Sequence, residues 1–221
     1  MINSRQYLVA TARRMTESGL NKGTAGNLSV RYKRGKADGF LITPTGMSYD
    51  KLEPEDIVFM RLDGMPAGIR NNKRKPSSEW RFHRDIYAAR PEAGAVLHAH
   101  SPFATSLSCL RRSIPAFHYM IARFGGDTLR CAEYATFGTQ QLSDAALAAM
   151  QGRNACLLAN HGMLVFGHDL DQALAFGVEL EALCEQYWRA CQLGEPVLLD
   201  ASEMARVLVK FPGYGQQDAS R

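Results

Sequence analysis

Apolar residues along the chain recur at two spacings, and the switch between them sets out the elements. Leu8, Ala12 and Met15 fall three and four apart, as on one helix face, with Asn3 or Ser4 placed to cap the start and Gly19 to end it. "NLSVRY" (27–32) alternates Leu28, Val30 and Tyr32 at strand spacing. "GFLITP" (39–44) follows as its hairpin partner across a Gly-containing turn, and "DIVFMR" (56–61) predicts a third strand. A helix is expected within "PSSEWRFHRDIYAAR", capped by Ser77 or Ser78 and stopped before Pro91. "AGAVLHAH" reads as a buried strand, followed by a helix from Pro102 to about Leu110. "ACLLANHGMLVFG" (155–167) is either two strands or one strand bent at Gly162. A long helix capped by Asp169 and stopped at Gly194, then "SEMARVLVKF" as a terminal helix, complete the pattern. Because several strands are linked as hairpins, this alternation predicts an α/β fold with a mixed, mainly antiparallel central sheet flanked by helices, not a doubly wound parallel sheet.

Length and charge narrow the picture further. At 221 residues, with 46% hydrophobic and 22% charged residues, one domain spanning 1–221 with one sizeable core is expected. The net charge of +4 comes largely from two short clusters, "RYKRGK" (31–36) and "NNKRK" (71–75), beside turn-forming residues. Neither has interleaved aromatics or an amphipathic pattern, so they read as solvated loops, and neither nucleic acid nor a membrane surface is expected as a partner. Five cysteines without a Cys-x-x-Cys pair, and a start lacking a continuous apolar segment, point to a reduced, cytoplasmic setting.

Residues two apart on a strand project from the same face, so His98 and His100 in "AVLHAHS" present neighbouring rings. Three imidazoles are a common catalytic zinc set that leaves a position open for water or substrate. His161 ends another apolar run beside Gly162, as His100 ends its own, and two strand ends of one sheet would bring the three together. The alternative is that all three are hydrogen-bonded histidines at strand ends. His83 and His168 are placed on helix or turn surfaces as structural residues, although Glu79 and His83 share a helix face at i, i+4 and keep His83 open as a further ligand.

"NKGTAGNLS" (21–29) is Gly-rich, but it runs from helix into strand, the reverse of dinucleotide and P-loop order. It still offers close backbone approach at Gly23 and Gly26, the Thr24 hydroxyl and the Asn27 amide. "TPTG" adds Thr45 and the Gly46 amide, and "PSSE" adds Ser77 and Ser78 at a helix N-terminus. Together these loops suit one phosphate; singly, each is ordinary turn and cap chemistry.

The segments "GLNKGTAGNLSVRY", "LITPTGM", "PSSEWRFH", "AVLHAHS", "IPAFHYMIARFGG", "YATFGT" and "ANHG", in this order, resemble the class II aldolase family of zinc-dependent sugar-phosphate aldolases and epimerases. The match is strongest to members that cleave L-fuculose 1-phosphate, and it extends from about Gly19 to "KFPGYG". The resemblance implies a three-layer fold with Zn2+ on His98, His100 and His161, and an acid/base Glu79 that also touches the metal. It implies phosphate contacts from Gly26, Asn27, Thr45, Gly46, Ser77 and Ser78, to which the loop reading adds the Thr24 hydroxyl. It further implies a homotetramer with sites between subunits, a catalytic Tyr119 from the neighbouring subunit and a catalytic Tyr214 from the C-terminal tail. The implied reaction cleaves a ketose 1-phosphate, L-fuculose 1-phosphate or a close analogue, to dihydroxyacetone phosphate and a small aldehyde such as lactaldehyde. Glu79 is then expected to carry a pKa raised by its setting, and Phe137 and Phe211 are expected around the aldehyde. The family's 4-epimerases carry an aspartate at the position of Glu79, so Glu79 favours cleavage. A dehydratase or decarboxylase on the same scaffold, or a non-catalytic interaction module, are the alternatives, and the last would lack the histidine set.

Overall fold

The computed structural model describes residues 4–63 and 74–211. In chain order they form α1 (Ser4–Glu17), β1 (Asn27–Arg34), β2 (Ala37–Ile42), β3 (Val58–Arg61), α2 (Trp80–Ala89), β4 (Ala95–Ala99) and α3 (Pro102–Ser108). These are followed by β5 (Cys131–Ala132), α4 (Gln140–Ala149), β6 (Ala155–Leu158), β7 (Gly162–Gly167), α5 (Leu170–Leu193) and α6 (Ala201–Lys210). The strands build one seven-stranded sheet in the order β3-β2-β1-β4-β7-β6-β5. Every pairing is antiparallel except β5 with β6.

Alternate residues of the central strands feed two separate cores. Ala95, Leu97 and Ala99 of β4 join Leu8, Ala12 and Leu180 under α1, α3 and α5, whereas Val96 joins Phe82, Ile86 and Leu142 under α2 and α4. Helices therefore cover both faces, giving three layers. This is why β4, β6 and β7 read as unbroken apolar runs: a strand buried on both faces has no solvent side to alternate with. β1 and β2, nearer the sheet edge, keep exposed residues at the hairpin end, where the alternation was legible.

Several boundaries have clear local causes. Gly19, at φ +77°, ends α1, with the Leu20 amide reaching back to the Met15 carbonyl and the Gly19 amide to Thr16. Asp169 caps α5 by accepting from the Gln172 amide. The 155–167 segment is two strands, not one bent strand, joined by a tight turn in which Asn160 sits at φ +52°. One expectation is corrected and one element is added. α2 starts at Trp80 with Glu79, not Ser77 or Ser78, in the cap position, and the Glu79 side chain makes no cap bond because it turns away toward the histidines. The sequence reading assigned nothing to 140–149, where α4 forms. Its buried face is mostly alanine and serine, too weakly apolar to stand out, although Thr139 caps it by accepting from the Leu142 amide.

One cap comes from a distant element. Glu181 of α5 accepts from the Ser101 hydroxyl at 2.5 Å and from the Phe103 and Ala104 amides at 2.8 and 2.9 Å. It satisfies the otherwise unpaired first turn of α3 and fixes the chain just beyond His100. Glu181→Ala is expected to lower unfolding stability by about 2 kcal/mol, the upper end of the roughly 0.5–2 kcal/mol lost when a helix cap is removed. A urea titration reads this, and Glu181→Gln should recover part of the loss.

Candidate active site

Three elements deliver four ligand-type side chains to one point. β4 carries His98 and, one residue past its end, His100; the β6–β7 turn carries His161; and the first turn before α2 carries Glu79. The four offer one donor atom each, all within 4.8 Å of one another. Glu79 Oε2 lies 3.2 Å from His98 Nε2, Glu79 Oε1 lies 3.2 Å from His161 Nε2, and the Nε2 atoms of His98 and His100 are 3.0 Å apart. The three ring centroids form a triangle with 4.8 Å sides.

The donor chemistry fits a metal ion. His98 Nδ1 stands 2.8 Å from the Met163 carbonyl of the paired strand, which can only accept, so Nδ1 carries the hydrogen and Nε2 presents a lone pair to the cluster. Two nitrogens held at about 2.0–2.1 Å from a tetrahedral ion stand about 3.3 Å apart, close to the spacing found here. Glu79 Oε1 is buried with no hydrogen-bond partner, an acceptor left open inside the cluster.

His161 is held by its surroundings as much as by its strand. Its amide donates to the Leu158 carbonyl at 3.0 Å and to the Ser108 hydroxyl at 3.2 Å. The Asn160 amide donates to the Ser108 carbonyl, and Arg111 Nε donates to Asn160 Oδ1 at 2.6 Å. The end of α3 thus clamps a turn whose φ of +52° disfavours side chains other than asparagine and aspartate. Gly162 lets this turn approach β4, since a Cβ there would stand 2.4 Å from the Ala99 carbonyl.

Above the cluster lies a cavity of about 290 Å³, lined by Thr24, Gly26 and Asn27, by Thr45 and Gly46, and by Ser77 and Ser78, together with Glu79, His100 and His161. Backbone hydrogen bonds explain why these loops meet. The Ser77 amide donates to the Thr43 carbonyl, the Thr45 amide to Lys75, and the Thr43 amide to Leu28, while the Leu28 amide donates to the Thr43 hydroxyl. Gly26 is required at φ +76°, where a Cβ would meet the His98 carbonyl at 2.7 Å. The cavity therefore joins loop hydroxyls, loop amides and a helix N-terminus, an anion-attracting set, to a metal-type cluster.

Some site expectations change. His83 is not on a surface: it is fully buried between α2 and β1, bonded to Ser29 Oγ at 2.7 Å and to Asn27 Oδ1, and it is not among the clustered ligands. Its place was legible, because it falls in the stripe Phe82, His83, Ile86, Tyr87 that α2 buries. Ser29, which the sequence reading passed over, joins His83 to Tyr87 through a 2.8 Å hydroxyl pair. Asn27, expected at the phosphate, also donates from Nδ2 to Glu79 Oε2 at 3.0 Å. The Glu79 pKa in the metal-free cluster is lowered, not raised: burial pushes it up, but the His98 and His161 imidazoles beside it, when protonated, pull it down further, well below the usual carboxylate range. Phe137 lines the cavity mouth and is 66% exposed, whereas Phe211 lines a separate cavity with Phe176 and Leu208. Tyr119 is 43% exposed, stacks on His118 and does not line its own chain's cavity. Tyr214 lies outside the described residues.

Residues 6–188 match the family described as class II aldolase and adducin N-terminal domains. The chain belongs to that family. It is 57% identical over 211 residues to a 5-methylthioribulose-1-phosphate/5-deoxyribulose-1-phosphate aldolase of Rhodospirillum rubrum, covering 96% of this chain and 92% of that protein. It is 47% identical to an L-fuculose phosphate aldolase of Escherichia coli K12, covering 95% and 94%. Among solved structures, an L-fuculose 1-phosphate aldolase superposes with a TM-score of 0.87 at 42% identity, covering 96% of this chain and 98% of that one. The chain is thus an enzyme of the class II aldolase type, an aldehyde-lyase, with the mixed seven-stranded fold of its family and a Glu/His₃ group suited to a metal. No helix among the described residues is long and apolar enough to cross a membrane.

Buried titratable groups give the metal-free class II aldolase a defined acid response. Burial, with the charge of His98, depresses His83 to about 3, and burial, with the charges of His98 and His161, depresses His100 to about 4, from an ordinary 6.5. Below 6.5 the unfolded chain takes up protons that the folded chain refuses, and below the ordinary Glu79 value of 4.5 the same sign applies to that carboxylate. Stability should therefore fall continuously as pH is lowered from 6.5 toward 3, read as a declining urea midpoint across pH 7, 5.5 and 4.

Proposed function

We propose that the chain cleaves a ketose 1-phosphate between C3 and C4, giving dihydroxyacetone phosphate and a small aldehyde whose far end is apolar. The observation that carries this reading is one cavity in which three phosphate-type loops stand beside a Glu/His₃ group. His98, His100 and His161 hold a divalent ion, zinc by the nitrogen-rich donor set. When bound, that ion supplies Lewis acidity to the substrate's C2 oxygen, lowering the energy of the charge that develops as the C3–C4 bond breaks.

The chain's own residues do the rest. Thr24, Gly26 and Asn27, Thr45 and Gly46, and Ser77 and Ser78 bind the phosphate and so fix C3 near Glu79. In cleavage the C4 hydroxyl proton leaves to water through the Tyr119 hydroxyl, the C3–C4 electron pair stays on C3, and the ionised Glu79 takes a proton from water and relays it to C3; in synthesis Glu79 removes that proton. Tyr119 exchanges the proton of the aldehyde oxygen. Its exposure outside its own chain's cavity supports a role in a neighbouring copy's site, within a homotetramer. The whole chain works as one catalytic domain and no lysine is required.

Three substrates named by the relatives or by the sequence reading, L-fuculose 1-phosphate, 5-deoxyribulose 1-phosphate and 5-methylthioribulose 1-phosphate, share a terminal methyl or methylthio group. An apolar Phe137 at the cavity mouth supports recognition of such an end. Turnover of these three is expected to exceed that of ribulose 1-phosphate, which ends in a hydroxymethyl group, by about tenfold or more, the scale set by one small apolar group in a pocket. The 57% relative favours the two 5-substituted pentulose phosphates over the fuculose ester.

Chelation should abolish triose-phosphate release and zinc should restore it, whereas absence of release from all four esters before chelation would rule out the reading. Glu79→Gln should lower kcat by about 10²–10⁴ with KM nearly unchanged, as expected for loss of a general acid–base group. For the shared site, mixing dissociated Glu79→Gln and Tyr119→Phe chains and reassociating them should recover activity that neither variant has alone. No recovery in confirmed mixed oligomers would place both groups in one chain.

A further inference from the structure

A chain of buried polar groups runs from the core to the reactive carboxylate. Tyr87 OH meets Ser29 Oγ at 2.8 Å, Ser29 Oγ meets His83 Nδ1 at 2.7 Å, His83 Nε2 meets Asn27 Oδ1, and Asn27 Nδ2 meets Glu79 Oε2 at 3.0 Å. Its members come from β1 and α2 and lie on the sheet face opposite α5, and His83 is wholly excluded from solvent. We propose that His83 is a positioning residue for Glu79, acting through the Asn27 amide, a role that rests on the aldolase reading above.

Hydrogen-bond direction along the chain is dictated from its active end. An ionised carboxylate only accepts, so Asn27 must turn its NH₂ toward Glu79 and its carbonyl oxygen toward His83. That oxygen only accepts, so His83 must carry its hydrogen on Nε2, and its Nδ1 lone pair accepts from the Ser29 hydroxyl, which in turn accepts from Tyr87. Each link of the chain then joins one donor to one acceptor. An asparagine amide rotated by half a turn has nearly the same shape but would set its oxygen against Glu79 Oε2, so sterics alone do not choose the orientation. His83 chooses it. A fully apolar filling of this space would avoid burying an imidazole, and exchanging both partners of a buried hydrogen bond for apolar groups is often neutral or stabilising. What the polar chain adds is at its end: Oε2 is fixed by Asn27, while Oε1 is left without a hydrogen-bond partner, facing His161.

The test compares His83→Phe, which fills the space and breaks the chain, with His83→Gln, whose amide can donate to Asn27 and accept from Ser29. Zinc affinity is read by competition with a chromogenic chelator, deuterium exchange at C3 of dihydroxyacetone phosphate by NMR, and cleavage by kcat and KM. His83→Phe should lose about 10–100-fold in zinc affinity and in C3 exchange, the usual scale for an outer partner of a metal site, with KM within a few-fold. His83→Gln should recover most of both even if its thermal midpoint is lower. A folded His83→Phe protein with native zinc affinity and exchange, or a His83→Gln protein as impaired as His83→Phe, overturns the proposal. Should neither variant fold, Ser29→Ala frees His83 to place its hydrogen on Nδ1 and is expected to slow C3 exchange several-fold; unchanged exchange there also overturns it. If the wild-type chain cleaves no ketose 1-phosphate while the zinc affinities still separate Phe from Gln, the substrate assignment fails and the positioning role stands.

Discussion

Glu79, His98, His100 and His161 crowd their donor atoms within 4.8 Å of one another, with Glu79 and His98 almost wholly buried. Removing a carboxylate and imidazoles from water costs free energy unless each gains a partner, so their neighbours must be fixed before the site can exist. Most of the surrounding polar structure meets that demand. Met163 takes the His98 hydrogen, Asn27 satisfies one oxygen of Glu79, and Ser108 receives the amide of His161. The groups left open point inward, where a cation would complete them.

The sheet supplies the rigidity for this arrangement. β4 lies in the middle of seven strands, paired by β1 on one side and β7 on the other, so that Asn27, His98 and Leu164 stand in register across three strands. A displacement of His98 would have to carry both neighbours and two hydrophobic cores with it. His161 sits on the turn leaving the sheet and depends instead on α3, whose start is pinned by Glu181 and whose end holds Asn160 through the Ser108 carbonyl, aided by Arg111 just beyond it. Two routes of support, one through strands and one through helices, meet at the same cluster.

The cavity above it divides the labour between backbone and side chain. The loops supply amides and hydroxyls for an anion, held together by backbone bonds between the ends of β1, β2 and the start of α2. Such groups bind a phosphate without titrating in the neutral range, which leaves the choice of protonation state to Glu79. In the proposed reading the phosphate end is built into this frame, and the aldehyde end is left to side chains such as Phe137 at the cavity mouth.

Much of this was legible in the sequence because it depends on spacing. The His-x-His pair projects from one strand face by geometry alone, the alternation in β1 and β2 follows from one exposed end, and glycine at positions 19 and 26 meets a positive φ. Hairpin-linked strands predicted the mixed sheet, and ordered motifs then pointed to the family. Other features required the third dimension. α4 has a buried face of small side chains whose stability comes from packing on α2, and β5 is two residues long, so neither leaves a periodic signal. The lowered pKa of Glu79 reverses the expectation because two imidazoles from distant segments outweigh burial. His83 reads as one polar residue in a helix, and only the meeting of α2 with β1 places it inside a hydrogen-bonded chain ending on Glu79. The sequence by itself determined which residue types could bind a metal and a phosphate. The tertiary structure decided which polar groups are buried together, because burial and hydrogen-bond direction depend on neighbours far apart along the chain.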